Sequence, residues 1–436
     1  MLTTSPPAFV PPQQDSFQTS LWHATALESA RFDALSGRQH AQVAVIGGGY
    51  TGLSAALTLA EHGRDVVVLD AREPGFGASG RNGGQVIPAF KYDPDRLAAT
   101  YGEAAGEALL QMIGQAADLV FDTVARHGIA CDPERGWVQV TSSPRGASLL
   151  QSRFRQWHAR GAPVEQWDGP RIRMKTGATG YIAGVYFGHA GTVQPLGYAR
   201  GLARAAQACG ARVHANSPVG DIRRHRDGWE VHTDQGCVQC DQLIIATNGY
   251  TTDLWPQLRE SVIPVYSMQI ATDPLPSPLQ AAVLPGVPAA ADTRHLVSYY
   301  RRDRERRFIF GTRGPFRALP TAADADRLIA AARQLFPALR GVSFPHRWAG
   351  RVAMTADHVP HLHELAPGAF AALGYNGRGV ALGTMMGKIL ASACLNGSAD
   401  GLPYPAAPLK PIPLHSFHLL GVHAMIAYYR MLDGLQ

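Results

Sequence analysis

Cysteine and charge are both scarce in this sequence, and long apolar runs are absent. Its 436 residues include 5 cysteines, an odd number scattered between Cys131 and Cys394. This is not the pattern of a disulfide-stapled secreted domain, and it favours reduced thiols in a cytoplasm. Charged residues make up 17% of the chain and apolar residues 46%, as in an ordinary globular protein. The chain is long enough for two substantial cores.

No uninterrupted apolar stretch reaches the roughly 18 residues that a membrane-spanning helix needs, so we predict no integral membrane segment. The N-terminus, Met1 to Gln18, lacks the basic start and apolar stretch of a secretory signal, and we interpret it as a loose arm. The net charge of +6 is modest. The densest basic run, 301–307, mixes both signs between two strand-like segments, which favours a solvated hairpin turn over a nucleic-acid surface.

Two clusters have the residue types of a metal site without its spacing. Cys237 and Cys240 form a CxxC pair, but no further ligands stand at matching spacing, so strand residues are the simpler interpretation. His358, His361 and His363 are close in sequence, but a proline turn interrupts them. We therefore predict no metal site.

The strongest local motif is a GxGxxG turn between two apolar strands. A strand at 43–46 runs into Gly47, Gly49 and Gly52, a helical stretch follows, and a second strand ends at Asp70. The glycines permit a tight turn, close approach of a pyrophosphate and close packing of helix on strand. The helix N-terminus offers free N–H groups to phosphates, and the acid can accept hydrogen bonds from ribose hydroxyls. The segment predicts a dinucleotide site.

A glycine-rich loop, 74–86, follows the acid directly. It could lay backbone along the middle of an extended cofactor, with Ser79 and Arg81 available to phosphate. A flexible surface loop is the alternative.

Two more strand–glycine loop junctions lie far along the chain. One strand enters the Thr-Asn-Gly turn near 247–249, and another, 369–373, enters a glycine-rich loop and helix that end near 397. Small residues in that helix, Gly383 and Gly387 among them, are those that close approach to a ligand would demand. Junctions at opposite ends of the chain could face one cofactor from two sides, which fits FAD better than NAD.

Several motifs together carry a family resemblance over nearly the full chain. They are VIGGGYTGLSAA, GASGRNGGQ, ATNGY, WAGxxAMTxDxxP, GYNGRGV and the tail PLKPIPLHSFH. The sequence resembles the D-amino-acid-oxidase superfamily of flavoproteins, in its gamma-glutamylputrescine-oxidase-like branch. The resemblance implies FAD and an α/β fold, with a discontinuous Rossmann-like FAD-binding domain and a substrate domain built on a large mixed β-sheet.

The expected organisation is an N-terminal arm, two interleaved domains and a tail helix. The predicted ranges are 1–37 for the arm; 38–90, 188–262 and 345–405 for the FAD-binding domain; 91–187 and 263–344 for the substrate domain; and 406–436 for the tail. The tail is apolar on one stripe, and packing on its own chain is favoured over membrane contact.

The motifs and the resemblance together give the predicted cofactor contacts. These are Gly47, Gly49, Tyr50, Thr51, Gly52, Asp70, Ala71, Arg72, Gly77, Ala78, Ser79, Arg81, Asn82, Gly83, Gly84, Gln85, Val219, Thr247, Asn248, Gly249, Gly350, Gly374, Asn376, Gly377, Arg378, Gly379 and Val380.

Four side chains are the candidates for the reaction itself. Gln85 is expected at the edge of the flavin ring, and Arg378 near its pyrimidine end, where a cation stabilises developing negative charge. Tyr266, Tyr299, Tyr300 and Arg313 lie on predicted strands of the substrate domain, and the tyrosines are candidates for holding an amine by cation–π contact. A surface arginine and core aromatics are the alternative interpretations.

Two positions depart from the sarcosine-oxidase-like relatives within this resemblance. The position of their flavin-attaching cysteine appears here as Gly350, which implies non-covalent FAD. The position of their carboxylate-binding lysine carries Ala381, which favours an elongated amine, or a carboxylate held in another way, over a small α-amino acid.

The expected activity is oxidation of an amine or amino acid to an imine, which water hydrolyses, with O2 reduced to H2O2. A dehydrogenase that passes electrons to a quinone or carrier protein is the nearest alternative. A flavin-binding partner protein without turnover is the alternative from another class.

Overall fold

A computed structural model describes residues 15–29 and 31–434 of the chain. The strands in chain order are β1 (Gly37–Ile46), β2 (Val66–Leu69), β3 (Gln85–Val86), β4 (Glu134–Thr141), β5 (Val164–Asp168), β6 (Ala183–Thr192), β7 (Arg212–His214), β8 (Val219–His225), β9 (Gly228–Thr233), β10 (Gly236–Ile245), β11 (Ile263–Ala271), β12 (Ala289–Asp292), β13 (Tyr299–Arg302), β14 (Phe308–Arg313), β15 (His346–Met354), β16 (His361–Ala366) and β17 (Ala369–Leu373).

The helices lie between these strands in the chain and near both of its ends. In chain order they are α1 (Leu21–Thr25), α2 (Tyr50–Glu61), α3 (Pro94–Tyr101), α4 (Glu103–Gly114), α5 (Ala116–Arg126), α6 (Pro144–Ala159), α7 (Gly169–Thr176), α8 (Pro195–Ala208), α9 (Ser277–Ala282), α10 (Ala322–Leu335), α11 (Gly379–Asn396) and α12 (His418–Gly434).

The first sheet has the order β16-β17-β10-β1-β2-β7, with β8 and β9 attached beside β10. Its strands β17, β10, β1, β2 and β7 run parallel. Every residue of β2 and β17 is buried, as expected for strands covered on both faces. Because parallel strands end at the same edge, the segments after β1, β2, β10 and β17 meet there.

The second sheet has the order β15-β11-β14-β13-β12-β4-β6-β3, with β5 beside β6. It is mixed, since β12 pairs parallel with β4 while β11 and β14 pair antiparallel. The predicted fold class, a Rossmann-like sheet with a second large mixed sheet, is confirmed.

Strand β15 belongs to the second sheet, although its residues fall in the range 345–405 predicted for the first domain. It pairs antiparallel with β11 along its whole length, from Ile263 opposite Met354 to Ala271 opposite His346. The third segment therefore enters the first sheet only at β16. Nothing in the apolar pattern of a strand states which partner will take its hydrogen bonds, which is why sequence placed this boundary wrongly.

The N-terminal segment is packed where sequence predicted a loose arm. Phe17 is 1% exposed and Trp22 is fully buried. The Trp22 indole donates a hydrogen bond of 2.8 Å to the carbonyl of Asn82. The loose-arm prediction is therefore wrong for Asp15 to Gln18, and its other part, residues 1–14, lies outside the described residues.

Helix α11 is long and apolar enough, by length and composition alone, to cross a membrane, but 72% of that stretch is buried inside the protein. It packs on α2 at very short range. A Cβ at Gly387 would lie 2.4 Å from the carbonyl oxygen of Thr51, and one at Gly383 would lie 3.2 Å from the Thr51 hydroxyl. The small residues of α11 thus permit close packing of two helices, where sequence predicted close approach to a ligand.

The basic run 301–307 does join β13 to β14 as a hairpin, but it is only partly solvated. Arg301 is 3% exposed and donates a hydrogen bond of 2.6 Å to the carbonyl of Val193. Its guanidinium lies over the ring of Trp22, so Arg301 packs beneath the N-terminal segment.

Candidate functional site

A cavity of about 990 Å³ is lined by residues of both sheets. It begins at the edge where β1 and β2 end, passes the loop before β3, and continues along one face of β11, β13 and β14. The tail residues around α12 form a further wall. A cavity of this length suits an extended ligand with room for a second molecule.

The glycine turn after β1 is shaped by close backbone contacts. Gly47 has a φ of +110°, and a Cβ there would lie 2.8 Å from the carbonyl oxygen of Ala246. A Cβ at Gly49 would meet the Ser79 hydroxyl at 3.0 Å. Helix α2 starts at Tyr50, whose N–H donates to the Ser79 hydroxyl at 3.0 Å, and Gly49 offers no side-chain cap to the N–H groups that follow, which suit a phosphate.

Asp70 holds the end of β2 against this turn. One carboxylate oxygen accepts the N–H of Gly48 at 2.7 Å, and the other accepts the N–H of Arg72 at 2.8 Å. Burial raises the pKa of the Asp70 carboxyl, and the two N–H groups oppose this only in part. The carboxylate lines the cavity beside Val219, as a ribose-binding acid would.

The loop before β3 is fixed by Arg81, which sequence expected to be free for phosphate. Its Nη2 donates to the Tyr250 hydroxyl at 2.9 Å, and its guanidinium lies 4.9 Å from the centre of the Phe76 ring. Its carbonyl accepts a hydrogen bond of 2.7 Å from Gln269. Arg81 lines the cavity but is committed to these partners, so Ser79 is the polar side chain of the loop nearest the phosphate end.

The two distant strand–loop junctions meet at the same edge, where sequence predicted that they face the cofactor from two sides. The Asn248 side-chain oxygen accepts the N–H of Gly374 at 2.9 Å. Asn376, with a φ of +50°, accepts the N–H of Thr355 at 3.1 Å. These bonds join the turn after β10, the loop after β15 and the loop before α11 into one wall.

Arg378 carries a buried charge with an unused donor. Its side chain lines the cavity at the N-terminus of α11, and its Nε has no hydrogen-bond partner among the described residues. Burial, together with the nearby charge of Arg153, lowers its pKa to about 10, so it stays protonated at neutral pH. The orphaned donor and the charge suit an anionic or electron-rich ring edge.

The second sheet presents Tyr299 and Ser267 to the cavity. Their hydroxyls are 2.7 Å apart, and a Cβ at Gly83 or Gly311 would overlap the Tyr299 ring. Tyr266 also lines the cavity and accepts a hydrogen bond of 3.0 Å from Arg351 Nε.

Tyr300 does not line the cavity, so its predicted role is wrong. It is fully buried on the opposite side of the sheet, against Phe308 and Phe336. Successive residues of a strand point to opposite faces, so only one of the two adjacent tyrosines can face the cavity, and that one is Tyr299.

Gln85 lines the cavity with its amide already engaged. Its nitrogen donates to the carbonyls of Ala290 and Tyr300, both at 3.2 Å, and its oxygen accepts from the Trp137 indole at 2.9 Å. It therefore braces three strands and shapes the wall instead of offering a free group to the reaction.

Most of the predicted cofactor contacts do line the cavity. The exceptions are Gly52, Gly84, Gly249 and Gly374. Each of them packs against backbone or a neighbouring side chain; a Cβ at Gly52, for example, would lie 2.0 Å from the carbonyl oxygen of Gly47. These glycines shape the loops that carry the lining residues.

Sequence reasoning missed three parts of the wall. Tyr250 and Tyr375 lie beside glycine turns that were noticed, and the Tyr375 hydroxyl is 2.6 Å from that of Thr51. Trp137 and Gln139 of β4 line the wall opposite. The tail contributes many apolar residues to the wall, and the apolar stripe in its sequence was the pattern that could have predicted this contact.

These features fit FAD. The acid after β2, the N-terminus of α2, the glycine cradle and the orphaned Arg378 donor stand in the order of ribose, pyrophosphate and ring along the cavity. Gly350 lines the ring end, and a Cβ there would already lie 3.0 Å from that of Arg81.

Comparisons with known proteins agree with this arrangement. Residues 42–393 match the sequence model of the DAO family, described as FAD dependent oxidoreductase. The chain is 31% identical to "Probable oxidoreductase OrdL" of Haemophilus influenzae, covering 92% of this chain and 94% of that protein. It is also 31% identical to "Gamma-glutamylputrescine oxidoreductase" of Escherichia coli, covering 96% of this chain and 98% of that protein.

Solved structures share the fold. Glycine oxidase from Geobacillus kaustophilus matches with a TM-score of 0.70 at 22% identity, covering 86% of this chain and 99% of the other. L-proline dehydrogenase from P. horikoshii matches with a TM-score of 0.71 at 17% identity, covering 84% and 96%. With the family match over most of the length, the chain belongs to the DAO family of FAD-dependent oxidoreductases and is an amine or amino-acid oxidoreductase.

Proposed function

We propose that this enzyme oxidises the C–N bond of an elongated amine to an imine and uses O2 as the electron acceptor, with release of H2O2 and hydrolysis of the imine by water. The observation that carries the proposal is the continuous cavity. It joins a complete dinucleotide edge to the face of the second sheet that carries Tyr299 and Ser267.

FAD, when bound, supplies the hydride acceptor at its ring. The residues around the ring end orient the amine and exclude water. Burial raises the pKa of Tyr299 to about 12, so its hydroxyl stays protonated and acts as a hydrogen-bonding group, not as a base. The substrate is therefore best bound as the neutral amine, and its carbon is held for transfer between the ring and this face.

Arg378 supplies the positive charge that the transfer requires. The half-buried guanidinium at the N-terminus of α11 would stabilise negative charge on the ring of bound FAD, and the start of the helix would add to its field. We infer that Arg378 acts on the rate of hydride transfer more than on substrate binding.

The proposed substrate is gamma-glutamylputrescine or another amine with a long substituent. Support comes from the relative that carries this name and from Ala381. Ala381 is fully buried in α11 and can hold no carboxylate, so recognition of a small α-amino acid at that position is lost.

We also propose that FAD is held without a covalent bond, because Gly350 offers no side chain at the ring end. A cytoplasmic location is proposed from the cysteines, all of which are free thiols.

An anaerobic substrate screen tests the function. The absorbance of the bound flavin would be followed with gamma-glutamylputrescine, putrescine, pipecolate, sarcosine, iminodiacetate and several D-amino acids. We expect gamma-glutamylputrescine to bleach the flavin, and readmitted air to restore the colour with stoichiometric peroxide. Bleaching with slow recovery in air would favour the dehydrogenase, and a yellow protein that no amine bleaches would favour a non-catalytic flavin-binding protein.

A pair of variants tests the role of Arg378. Arg378→Met removes the charge, and we expect the rate of flavin reduction to fall by about 100-fold, the usual effect of losing one such group. Arg378→Lys keeps the charge and should recover part of that rate. Equal rates in Arg378→Met and the wild type would contradict the proposed role.

A further inference from the structure

Arg313 stands at the cavity wall in direct line with the proposed reaction site. Across the second sheet, Gly350 of β15 lies opposite Ser267 of β11, and Ser267 lies opposite Arg313 of β14. Neighbouring strands are about 4.8 Å apart, so the backbone of Arg313 is roughly 10 Å from the ring end of the cavity. All three residues line the cavity.

No carboxylate of the described residues pairs with the guanidinium of Arg313. Its Nη2 is buried and makes no hydrogen bond within residues 15–29 and 31–434. The guanidinium lies 4.4 Å from the centre of the Phe316 ring. The Phe316 ring in turn stacks on the ring of His423 on α12, with 4.0 Å between the ring centres. Burial, followed by the positive charge of Arg430 on the same helix, lowers the pKa of Arg313 to about 10.

An unpaired charge at this position is unfavourable unless a ligand meets it. Burying a guanidinium with an unused donor is costly, and the neighbouring charge of Arg430 is also positive. Arg302, on the neighbouring strand β13, shows the contrast, because it donates two hydrogen bonds to Glu134. Gly350, at the proposed ring end, lies on the other side of Ser267 from Arg313, so we assign the missing partner to the substrate and not to FAD.

We propose that Arg313 binds a carboxylate at the far end of the amine substrate, and so selects elongated amines that end in an anion. The inference rests on the proposed amine oxidation and adds the part of the substrate that this enzyme recognises. The carboxylate would sit beneath α12, where Arg430 adds to its attraction, while the amine lies at Tyr299 and Ser267.

The distances favour a long substrate. In an α-amino acid the carboxylate is attached to the reacting carbon and cannot reach another strand. N-glutarylputrescine has ten bonds between its amine nitrogen and its carboxylate carbon, which span roughly 12 Å when extended. That length is enough to span the roughly 10 Å across the strands and to bring the carboxylate to the Arg313 side chain.

A matched pair of substrates isolates the carboxylate. N-glutarylputrescine and N-valerylputrescine have the same length and differ only by carboxylate against methyl. Anaerobic reduction of the flavin gives a Kd and a limiting rate for each. In Arg313→Met we expect the Kd for N-glutarylputrescine to rise by about 10- to 100-fold, as for loss of a charge-assisted bond, with an unchanged limiting rate. N-valerylputrescine should be unaffected.

Glutarate provides a test that does not depend on turnover. We expect calorimetry to detect glutarate binding to the FAD-loaded wild type, weaker binding to Arg313→Lys and none to Arg313→Met. The control is Arg327→Met, which alters an exposed arginine paired with Asp324 outside the cavity and should bind as the wild type does.

The outcomes separate this inference from the proposed function. If no amine reduces the flavin, the proposed function fails, and the glutarate titration still decides the role of Arg313. Equal losses for both substrates, equal glutarate binding in Arg313→Met and the wild type, or no glutarate binding by the wild type would each overturn the inference.

Discussion

Helix α12 is attached over the cavity by few contacts, and Asp433 makes the most polar of them. Its Oδ1 accepts the backbone N–H of His295 at 2.9 Å and the His295 ring at 2.8 Å, while Oδ2 accepts the N–H of Leu296 at 3.0 Å. Ile426 is the main buried apolar residue of the helix, at 7% exposed, and the Tyr429 ring stacks on His295 at 4.9 Å. We predict that Asp433→Ala loosens α12 without unfolding the enzyme.

The size of the effect follows from the bonds that are lost. A hydrogen bond to a charged group contributes about 1.5–3 kcal/mol, but the donors on His295 and Leu296 can turn to water once the helix moves. We therefore expect a total of about 2–3 kcal/mol, which raises the equilibrium constant for opening of α12 by roughly 30- to 160-fold.

The pH dependence has a definite sign. Burial raises the pKa of Asp433, but the N–H groups of Leu296 and His295 and the His295 ring together hold it below the ordinary carboxyl value. A group with a depressed folded pKa stabilises fully above its unfolded pKa and loses this contribution as pH falls through the folded value. Docking of α12 should thus be constant at neutral pH and weaken only in acid.

Hydrogen exchange measured by mass spectrometry is the suitable assay. Peptides from α12 should exchange faster in Asp433→Ala by the factor given above, while peptides from β1 and α2 should not change. Asp400→Asn, at an exposed loop position, is the control. If α12 keeps its wild-type protection in Asp433→Ala, then apolar contacts hold the helix and our assignment of its attachment is wrong.

Two further substitutions test the cofactor end. Gly52→Ala would place a Cβ 2.0 Å from the Gly47 carbonyl oxygen, so we expect the purified protein to carry little flavin. The control is Gly220→Ala, which has open space around it and should keep a full complement of flavin. A full complement in Gly52→Ala would contradict this reasoning. Trp22→Ala removes a fully buried ring and its bond to Asn82, and should cost about 3–5 kcal/mol in denaturant unfolding, with Trp22→Phe costing less. An unchanged unfolding midpoint in Trp22→Ala would mean that the N-terminal segment does not stabilise the fold.

The cofactor end was predictable because its signals are local. The turn at Gly47, Gly49 and Gly52 and the acid at Asp70 lie within one strand–helix–strand unit, where backbone conformation and short spacing fix the geometry. The turn at Asn248 and the loop before Arg378 were predicted to face one cofactor from two sides. The Asn248–Gly374 hydrogen bond instead joins them at one edge, because parallel strands end together.

The substrate end was less predictable because it depends on register and on contacts between distant segments. Sequence named Tyr299 and Tyr300 together, and only the pairing of β13 with β14 determines which of them faces the cavity. Arg81 and Gln85 line the cavity, as predicted, but their side chains are hydrogen-bonded to Tyr250 and Trp137 and are not free for the cofactor.

The sequence by itself therefore determined the cofactor edge, through patterns within a short stretch of chain, and the fold class and family, through a set of such local motifs along the chain. Only the tertiary structure decided that Arg313 faces the cavity with a donor that no described residue uses, that β15 joins the second sheet, and that α12 covers the substrate end. The physical reason is that a strand pattern specifies which residues alternate between faces, while strand partners and the cover of a cavity arise from contacts between segments far apart in the chain.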